Sequence, residues 1–201
     1  MLSLEDYRKA ILAVTLIGVL IISSPALAFS FSPPSSERFS EFYVLGPNGM
    51  IEDYPFNVKS GEVNRIILGI RNNMGFSTYY AVLIKVRNES DSLPNSATRT
   101  PSLLPSLYEY HMVLNDGGIW QESLDFSFDV LWYPTNSCML RSLNLNGKSF
   151  LVNQAVSRDG KSNGYFFELL FELWTYDPEV RDYRYHNRFL GIWLNATESS
   201  L

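Results

Sequence analysis

Apolar and polar residues alternate along most of the chain after residue 38, a pattern typical of β-strands with one buried and one solvated face. Over residues 63–72, Ile66, Leu68 and Ile70 share one side of a predicted strand. Residues 80–87 and 124–132 alternate in the same way. Outside the N-terminus the pattern has no clear helical period, so it predicts an all-β domain.

Glycine and asparagine turns divide these strands. Residues 107–114 lead through Asn-Asp-Gly-Gly into a strand that opens at Ile119, which predicts a hairpin. Residues 63–72 and 80–87 are predicted to pair as an antiparallel ribbon, and residues 143–156, with Asn-Gly at their centre, as another hairpin. Residues 91–105 are rich in Ser, Thr and Pro and predict a long surface loop.

Residues 165–174 (YFFELLFELW) fit two structures, because Glu168 and Glu172 lie four residues apart, as on one helix face or one strand face. The aromatic content and the preceding Asn-Gly turn favour a strand. Its core face is then Phe167, Leu169, Phe171 and Leu173. With a last strand at residues 189–195, the pattern predicts an immunoglobulin-like antiparallel β-sandwich preceded by one N-terminal hydrophobic helix.

The N-terminal segment carries no charge from residue 10 to residue 22, and its apolar character resumes as far as Phe29. About 20 such residues, as a helix, can cover the hydrocarbon core of a bilayer. Arg8 and Lys9 precede the run, which keeps the N-terminus inside and directs the rest outward. We therefore expect a single-pass protein of the cell membrane with an extracellular domain.

A cleaved signal peptide is the second interpretation, since Ala26-Leu27-Ala28 has the small-x-small form of a cleavage site. The domain would then be secreted after cleavage behind Ala28. A buried core helix is a third interpretation, which the lack of polar positions disfavours. The first two interpretations give the same topology.

The predicted organisation has four parts: residues 1–29 as signal anchor or signal peptide, 30–38 as a Ser/Pro-rich spacer, 39–197 as the sandwich, and 198–201 as a tail. Asn88-Glu89-Ser90 and Asn195-Ala196-Thr197 are acceptor triplets for N-glycosylation, which makes Asn88 and Asn195 glycosylation candidates.

Composition limits the partners. Of 201 residues, 46% are hydrophobic and 18% charged, and the net charge of -5 argues against nucleic acid, which is bound through clustered Lys and Arg. The single cysteine, Cys138, excludes an intramolecular disulfide and is predicted to be a buried small apolar residue.

Three segments resemble a known family: FSEFYVLGPNGMIEDYPFNV (residues 39–58), SGEVNRIILGIRNN (60–73) and NGYFFELLFELWTYDPEVRDYRYHNRFLGIWLNAT (163–197). They are similar to the extracytoplasmic C-terminal domain of an archaeal membrane-protein family classed as domain of unknown function 1616. The resemblance implies an extracytoplasmic location and an immunoglobulin-like fold. It implies no activity, ligand or catalytic residues. Similar members carry several membrane helices, whereas this chain has one hydrophobic segment.

Few residues suggest a metal site. His111 shares a strand side with Glu109, and His186 is predicted to share one with Asp182 and Arg184; a solvated polar face explains both sets better than a metal site. Asp53, Asp116 and Asp177 lie in turns, where calcium is a weaker interpretation.

Catalytic signatures are not apparent in the sequence. Glu168 and Glu172 could cleave a glycosidic bond only if their environments separated their pKa values. The chain has no metal-protease, paired-cysteine or nucleophile-elbow pattern, so we expect no enzyme and no cofactor.

The aromatic residues remain to be placed: Trp120, Trp132, Trp174 and Trp193, with Tyr79, Tyr183 and Tyr185. Burial is the favoured interpretation, but if exposed the tryptophans could stack on sugar rings or anchor a partner. The sequence thus predicts a non-enzymatic structural or protein-interaction domain, whose partners are the membrane and a cell-envelope protein or glycan. A glycan-binding module of the cell envelope is the alternative, and an exported hydrolase the third hypothesis.

Overall fold

The computed structural model describes residues 4–31 and 37–198, in two compact units that divide between Arg38 and Phe39. The first unit is helix α1 (Leu4–Phe31). Within the described residues no helix combines the length and the apolar character of a membrane span. The predicted cleavage triplet falls on side chains outside the described set, as do most of the predicted spacer and most of the tail.

The second unit is built of strands. Those described are β1 (Phe39–Leu45), β2 (Asn57–Lys59), β3 (Asn64–Asn73), β4 (Thr78–Asn88), β5 (Tyr108–Leu114), β6 (Ile119–Tyr133), β7 (Ser137–Leu145), β8 (Lys148–Ser157), β9 (Phe166–Asp177) and β10 (Asp182–Thr197).

These strands form two five-stranded sheets that pack as a sandwich. The first sheet has the order β1-β3-β6-β7-β8 and the second the order β2-β10-β9-β4-β5. The predicted immunoglobulin-like β-sandwich is therefore confirmed. One pair departs from the antiparallel expectation, because β2 runs parallel to the last residues of β10, with Asn57 opposite Asn195.

The core lies between the sheets and takes alternate residues from each strand, as the period of two requires. On β9, the predicted core face of Phe167, Leu169, Phe171 and Leu173 is fully buried, so the strand interpretation of residues 165–174 is confirmed. Cys138 is buried in the same core, and burial raises the pKa of its thiol to about 11.

Two predicted strand pairings are wrong. β5 pairs with β4 in the second sheet, whereas β6 pairs with β3 and β7 in the first, so the Asn-Asp-Gly-Gly turn connects sheets instead of closing a hairpin. The backbone N–H of Gly117 donates to Asn72 O (2.6 Å), and Asn72 N–H donates to Gly118 O (2.9 Å), which holds this turn against β3. Likewise β3 and β4 lie in different sheets and form no ribbon.

The third predicted pairing, the hairpin over residues 143–156, is confirmed. β7 and β8 are antiparallel neighbours joined by Asn146 and Gly147, whose φ angles of 47° and 80° lie in the left-handed region. A two-residue turn with both φ values positive matches the twist of the strands it joins.

Candidate functional site

The outer face of the second sheet carries charged residues that are nevertheless buried. Lys85 on β4 and Glu172 on β9 form an ion pair, with Nζ 2.9 Å from Oε2, and the Glu172 side chain is 0% exposed. Trp174 donates its indole N–H to the same oxygen at 3.2 Å. Because a buried charge without a partner is costly, each residue depends on the other.

Ser102 covers this ion pair and forms hydrogen bonds with both of its members. Its backbone N–H and its hydroxyl donate to Glu172 Oε1 at 2.9 and 2.6 Å, and its carbonyl accepts from Lys85 Nζ at 3.2 Å. Ser102 belongs to the loop of residues 89–107, which includes the surface loop predicted over residues 91–105. Most of its residues are exposed, as expected of a surface loop, while Ser102 is buried and attaches the loop to the sheet through the ion pair.

A second ion pair lies on the same face, two residues further along β4. The guanidinium of Arg87 on β4 binds the Glu168 carboxylate on β9 and donates to Asp91 O at 2.5 Å. The Trp193 ring stacks over this guanidinium, with 4.9 Å from Cζ to the ring centroid. Gly191 leaves the space for Glu168, since a Cβ there would lie 1.7 Å from its Oε1.

The two carboxylates considered for glycosidic cleavage both take part in buried ion pairs. Each of Glu168 and Glu172 faces its own buried cation, and the loop covers the second of them. With side-chain exposures of 0% for Glu172 and 7% for Glu168, both carboxylates serve as partners of these cations, and the arrangement positions a loop.

Further along the same outer face, four exposed or half-buried rings form a surface that we call the ring cluster: Tyr79, His111, Tyr176 and Tyr183. They come from β4, β5, β9 and β10. Ring centroids lie 5.2 Å apart between His111 and Tyr183 and 5.6 Å apart between Tyr79 and Tyr183. These contacts hold the rings in place without burying them.

Polar atoms fix the histidine of the ring cluster. His111 Nδ1 lies 3.0 Å from the Tyr183 hydroxyl, and Nε2 lies 3.1 Å from a Glu109 carboxylate oxygen. The predicted neighbourhood of Glu109 and His111 is therefore confirmed. The cluster presents apolar ring surface beside hydroxyl, imidazole and carboxylate groups, a combination that suits a sugar or a protein side chain.

The predicted tryptophans do not form a common site. Trp120 and Trp132 pack against the core, with ring centroids 5.2 Å from Tyr110 and 4.9 Å from Tyr165. Trp174 is half-buried beside Glu172, and Trp193 is the one exposed tryptophan of the four, at 37%. Tyr79 and Tyr183 were among the aromatic residues noted in the sequence, but their grouping with His111 and Tyr176 was missed, because it depends on which strands are neighbours.

Between the sheets, a polar chain crosses the core. Asn72 donates its amide to Phe76 O and Leu114 O, which leaves its Oδ1 to accept from the Tyr80 hydroxyl at 3.0 Å. Ser40 Oγ lies 2.7 Å from Tyr80 and 3.0 Å from His186 Nε2.

The proton order follows from these contacts. The Tyr80 hydroxyl donates its hydrogen bond to Asn72 Oδ1, so Ser40 donates to Tyr80, and His186 donates its Nε2–H to Ser40. A histidine that donates to a serine cannot act as the base that activates it. Since Ser40 is also buried, the Ser40 and His186 pair is a structural cross-link.

The predicted grouping of His186 with Asp182 and Arg184 is wrong. A bulge inserts His186 and Asn187 between residues paired to Trp174 and Leu173, with Asn187 at φ 57°. The extra residues turn His186 towards Ser40, while Arg184 pairs with Asp177 at 3.0 Å. An Asn inside a strand pattern was the signal available for this bulge.

His186 makes stability depend on pH. Burial, with a smaller contribution from Arg188, lowers the pKa of His186 in the folded chain. The unfolded chain then takes up the proton first, so stability falls as pH drops below about 6.5 towards the lower folded value. We expect His186→Gln to flatten this slope in urea midpoints measured between about pH 7.5 and pH 5. Identical slopes in the two proteins would contradict the assignment.

Both glycosylation candidates use their amide nitrogens internally. Asn195 Nδ2 donates to Asn57 Oδ1 at 2.9 Å, and its Oδ1 accepts from the Tyr165 N–H at 2.8 Å. Asn88 Nδ2 donates to Ala155 O at 3.2 Å, and its Oδ1 accepts from the Ser90 N–H. A glycan on either nitrogen would replace these bonds, so glycosylation of Asn88 and Asn195 stays a prediction.

The turn aspartates lie apart. Asp116 accepts from Gly75 N–H at 2.8 Å, and Asp177 accepts from Glu179 N–H at 2.9 Å. Among the residues in the described parts of the chain, no three His, Cys, Asp or Glu side chains form a group that could hold a metal.

The strand order and these surfaces define an immunoglobulin-like β-sandwich domain with an exposed ring cluster. Residues 33–131 match the family model described as "Domain of unknown function (DUF1616)". The resemblance to this family is thereby confirmed, while its archaeal origin and extracytoplasmic location stay predictions. The match includes the first two segments that suggested it and ends before the third.

Several solved structures are similar to the chain at low identity. A β-glucosidase from Listeria innocua in complex with isofagomine is 8% identical, with 81% of this chain and 16% of that chain covered and a TM-score of 0.39. The CARDB domain of a Pyrococcus furiosus protein in complex with di-metal ions is 8% identical, with 83% and 95% covered and a TM-score of 0.38. A PapD-like domain of human CEP192 is 11% identical, with 85% and 90% covered and a TM-score of 0.33.

TM-scores below 0.5 establish neither a shared fold nor a shared function. The chain spans only 16% of the β-glucosidase. No curated protein matches the chain in sequence.

Proposed function

We propose that this chain is a non-catalytic interaction domain, displayed outside the cell and held at the membrane by its N-terminal helix. The ring cluster is the observation that carries the proposal. Rings that are ordered by their neighbours yet left open to solvent lose little conformational freedom on binding, which favours recognition of a partner.

Two features support a role without catalysis. The buried carboxylates Glu168 and Glu172 each face a cation, and His186 donates to Ser40 instead of accepting from it. The groups that resemble catalytic ones thus have structural tasks in the second unit.

Membrane anchoring is supported by the sequence of the helix. Ile11, Leu12, Val14 and Leu16 are exposed on α1, and the charge-free run continues past Ile21 into residues whose side chains are outside the described set. Arg8 and Lys9 precede the run, as the positive-inside rule requires for an outward domain.

A glycan is the second candidate partner, favoured by the chemistry of the ring cluster. Tyrosine faces stack on the apolar faces of sugar rings, while Tyr183, His111 and Glu109 offer hydrogen-bonding groups beside them. The site predicted for the tryptophans would thus be formed by tyrosines.

A pair of matched variants tests the ring cluster. We expect Tyr79→Ala to weaken binding about tenfold or more, because the central ring of the cluster is lost. Tyr133→Ala, on the first sheet, should leave binding unchanged; Tyr133 is 40% exposed and Tyr79 41%. Co-purification from membranes measures protein partners, and tryptophan fluorescence with envelope polysaccharides measures glycans. Equal binding by the two variants would exclude the ring cluster as the binding surface.

N-terminal sequencing of the chain from the same membranes tests anchoring. An intact N-terminal helix is the expected result. A mature N-terminus at Phe29 would contradict permanent anchoring and leave the interaction role to the binding experiment.

A further inference from the structure

An unpaired strand edge lies beside an apolar cleft on the side of the sandwich where β1 and β10 approach each other. The cleft has a volume of about 360 Å³. We call it the edge cleft. It is lined by Val44, Tyr54, Pro55, Phe56 and Leu190 to Trp193. It is separate from the ring cluster.

The direction of the β10 backbone groups follows from two hydrogen bonds. Ala196 N–H donates to Tyr165 O on the β9 side, whereas Asn195 N–H donates to Phe56 O on the opposite side. Backbone groups alternate in direction along a strand. Gly191 and Trp193 therefore point their N–H and C=O groups away from β9, into the edge cleft.

These groups have no strand partner among the described residues, because β2 pairs with β10 only from Asn195 to Thr197. β2 does not continue ahead of Asn57, because residues 52–56 have no strand structure. Tyr54 instead turns to β1, where its hydroxyl donates to Val44 O at 2.8 Å. The chain ahead of β2 thus leaves β10, and the cleft opens between them.

We propose that the edge cleft binds an extended peptide segment of a protein partner, which continues the line of β2 along β10 and inserts one apolar side chain. The unpaired N–H and C=O groups need a backbone as their complement, which a peptide supplies at the strand spacing and a sugar does not. The existing β2 and β10 pair provides the interface that the peptide prolongs.

The lining determines the kind of peptide. The named side chains of the edge cleft are aliphatic or aromatic, so an aromatic or branched aliphatic residue fits and a charged one is excluded. This inference deepens the proposed interaction role by naming a class of partner. It fails independently of the ring cluster, because Tyr79→Ala should leave peptide binding unchanged.

Amide hydrogen exchange on the full chain in detergent micelles tests the edge. We expect the Gly191 and Trp193 amides to exchange quickly in the free protein, while those of Leu190 and Ile192, directed to β9, exchange slowly. Protection of Gly191 and Trp193 equal to that of their neighbours would show that the edge is already paired and would overturn the proposal.

The probe is a capped peptide of about eight residues with alternating Thr and Val and one central Phe. It should slow exchange at Gly191 and Trp193, whereas the same peptide N-methylated at alternate residues should not bind. Phe56→Asp should weaken binding about tenfold or more, since it places a charge at the cleft. Phe39→Asp is the matched control, with Phe39 41% exposed and Phe56 50%. Binding of the methylated peptide, an equal effect of both variants, or no binding of the probe would each overturn the proposal.

Discussion

Replacing Lys85 with Met is expected to lower the free energy of unfolding by about 3–5 kcal/mol, because Glu172 would remain fully buried without its cation. The cost arises from the carboxylate that is left behind, since Met fills nearly the same volume as the Lys stem. Urea denaturation followed by tryptophan fluorescence measures it, and all four tryptophans lie in the sandwich.

A double variant separates charge from packing. In Lys85→Met with Glu172→Gln, the side chain at 172 is neutral and still accepts from Ser102, so most of the lost stability should return. Arg65→Met is the surface control, because Arg65 and Asp125 pair in solvent and their loss should have little effect. If the double variant were as unstable as the single one, the buried charge would not explain the loss.

The single variant Lys85→Met should also release the loop of residues 89–107 from the sheet. Ser102 is held by both members of the pair, so hydrogen exchange at the Ser102 amide should rise well before global unfolding. The ion pair therefore decides whether this part of the outer face of the second sheet is covered.

Replacing Asn72 with Ala is expected to cost about 3 kcal/mol or more, the second large effect. Asn72 lies on β3 in the first sheet, yet its side chain donates to Leu114 O in the second sheet and accepts from Tyr80. Its removal leaves several buried polar groups without partners, each at about 1–3 kcal/mol before relaxation.

Asn73→Ala is the matched control for this effect. Asn73 is the next residue on β3, is half-buried, and makes its side-chain bond to Glu41 at 2.9 Å near the surface. Its loss should change the urea midpoint much less than Asn72→Ala. Equal midpoints for the two variants would show that the link between the sheets through Asn72 contributes little.

Together these contacts explain why the chain holds without a disulfide. Asn72, Tyr80, Ser40 and His186 join the two sheets through hydrogen bonds inside an apolar core, and the core provides the dry surroundings that strengthen such bonds. The partners also specify the order of the sheets, because a displaced sheet would leave these groups unsatisfied.

What the sequence determined by itself is local. The period of two on β9 identified the buried side of Phe167, Leu169, Phe171 and Leu173, and Asn146-Gly147 identified the β7 and β8 hairpin. Both depend only on residues within one strand or one turn. The alternating pattern over the whole chain then sufficed for the fold class.

The tertiary structure decided which strands became neighbours. The turn after β5 had the composition of a hairpin, but its contacts with Asn72 carry the chain into the other sheet. Lys85 and Glu172 come from strands far apart in sequence, and the ring cluster joins two such distant pairs of strands, β4 with β5 and β9 with β10. A periodic pattern shows which side of a strand is buried and contains no information on its partner, so these sites exist only once the sheets are assembled.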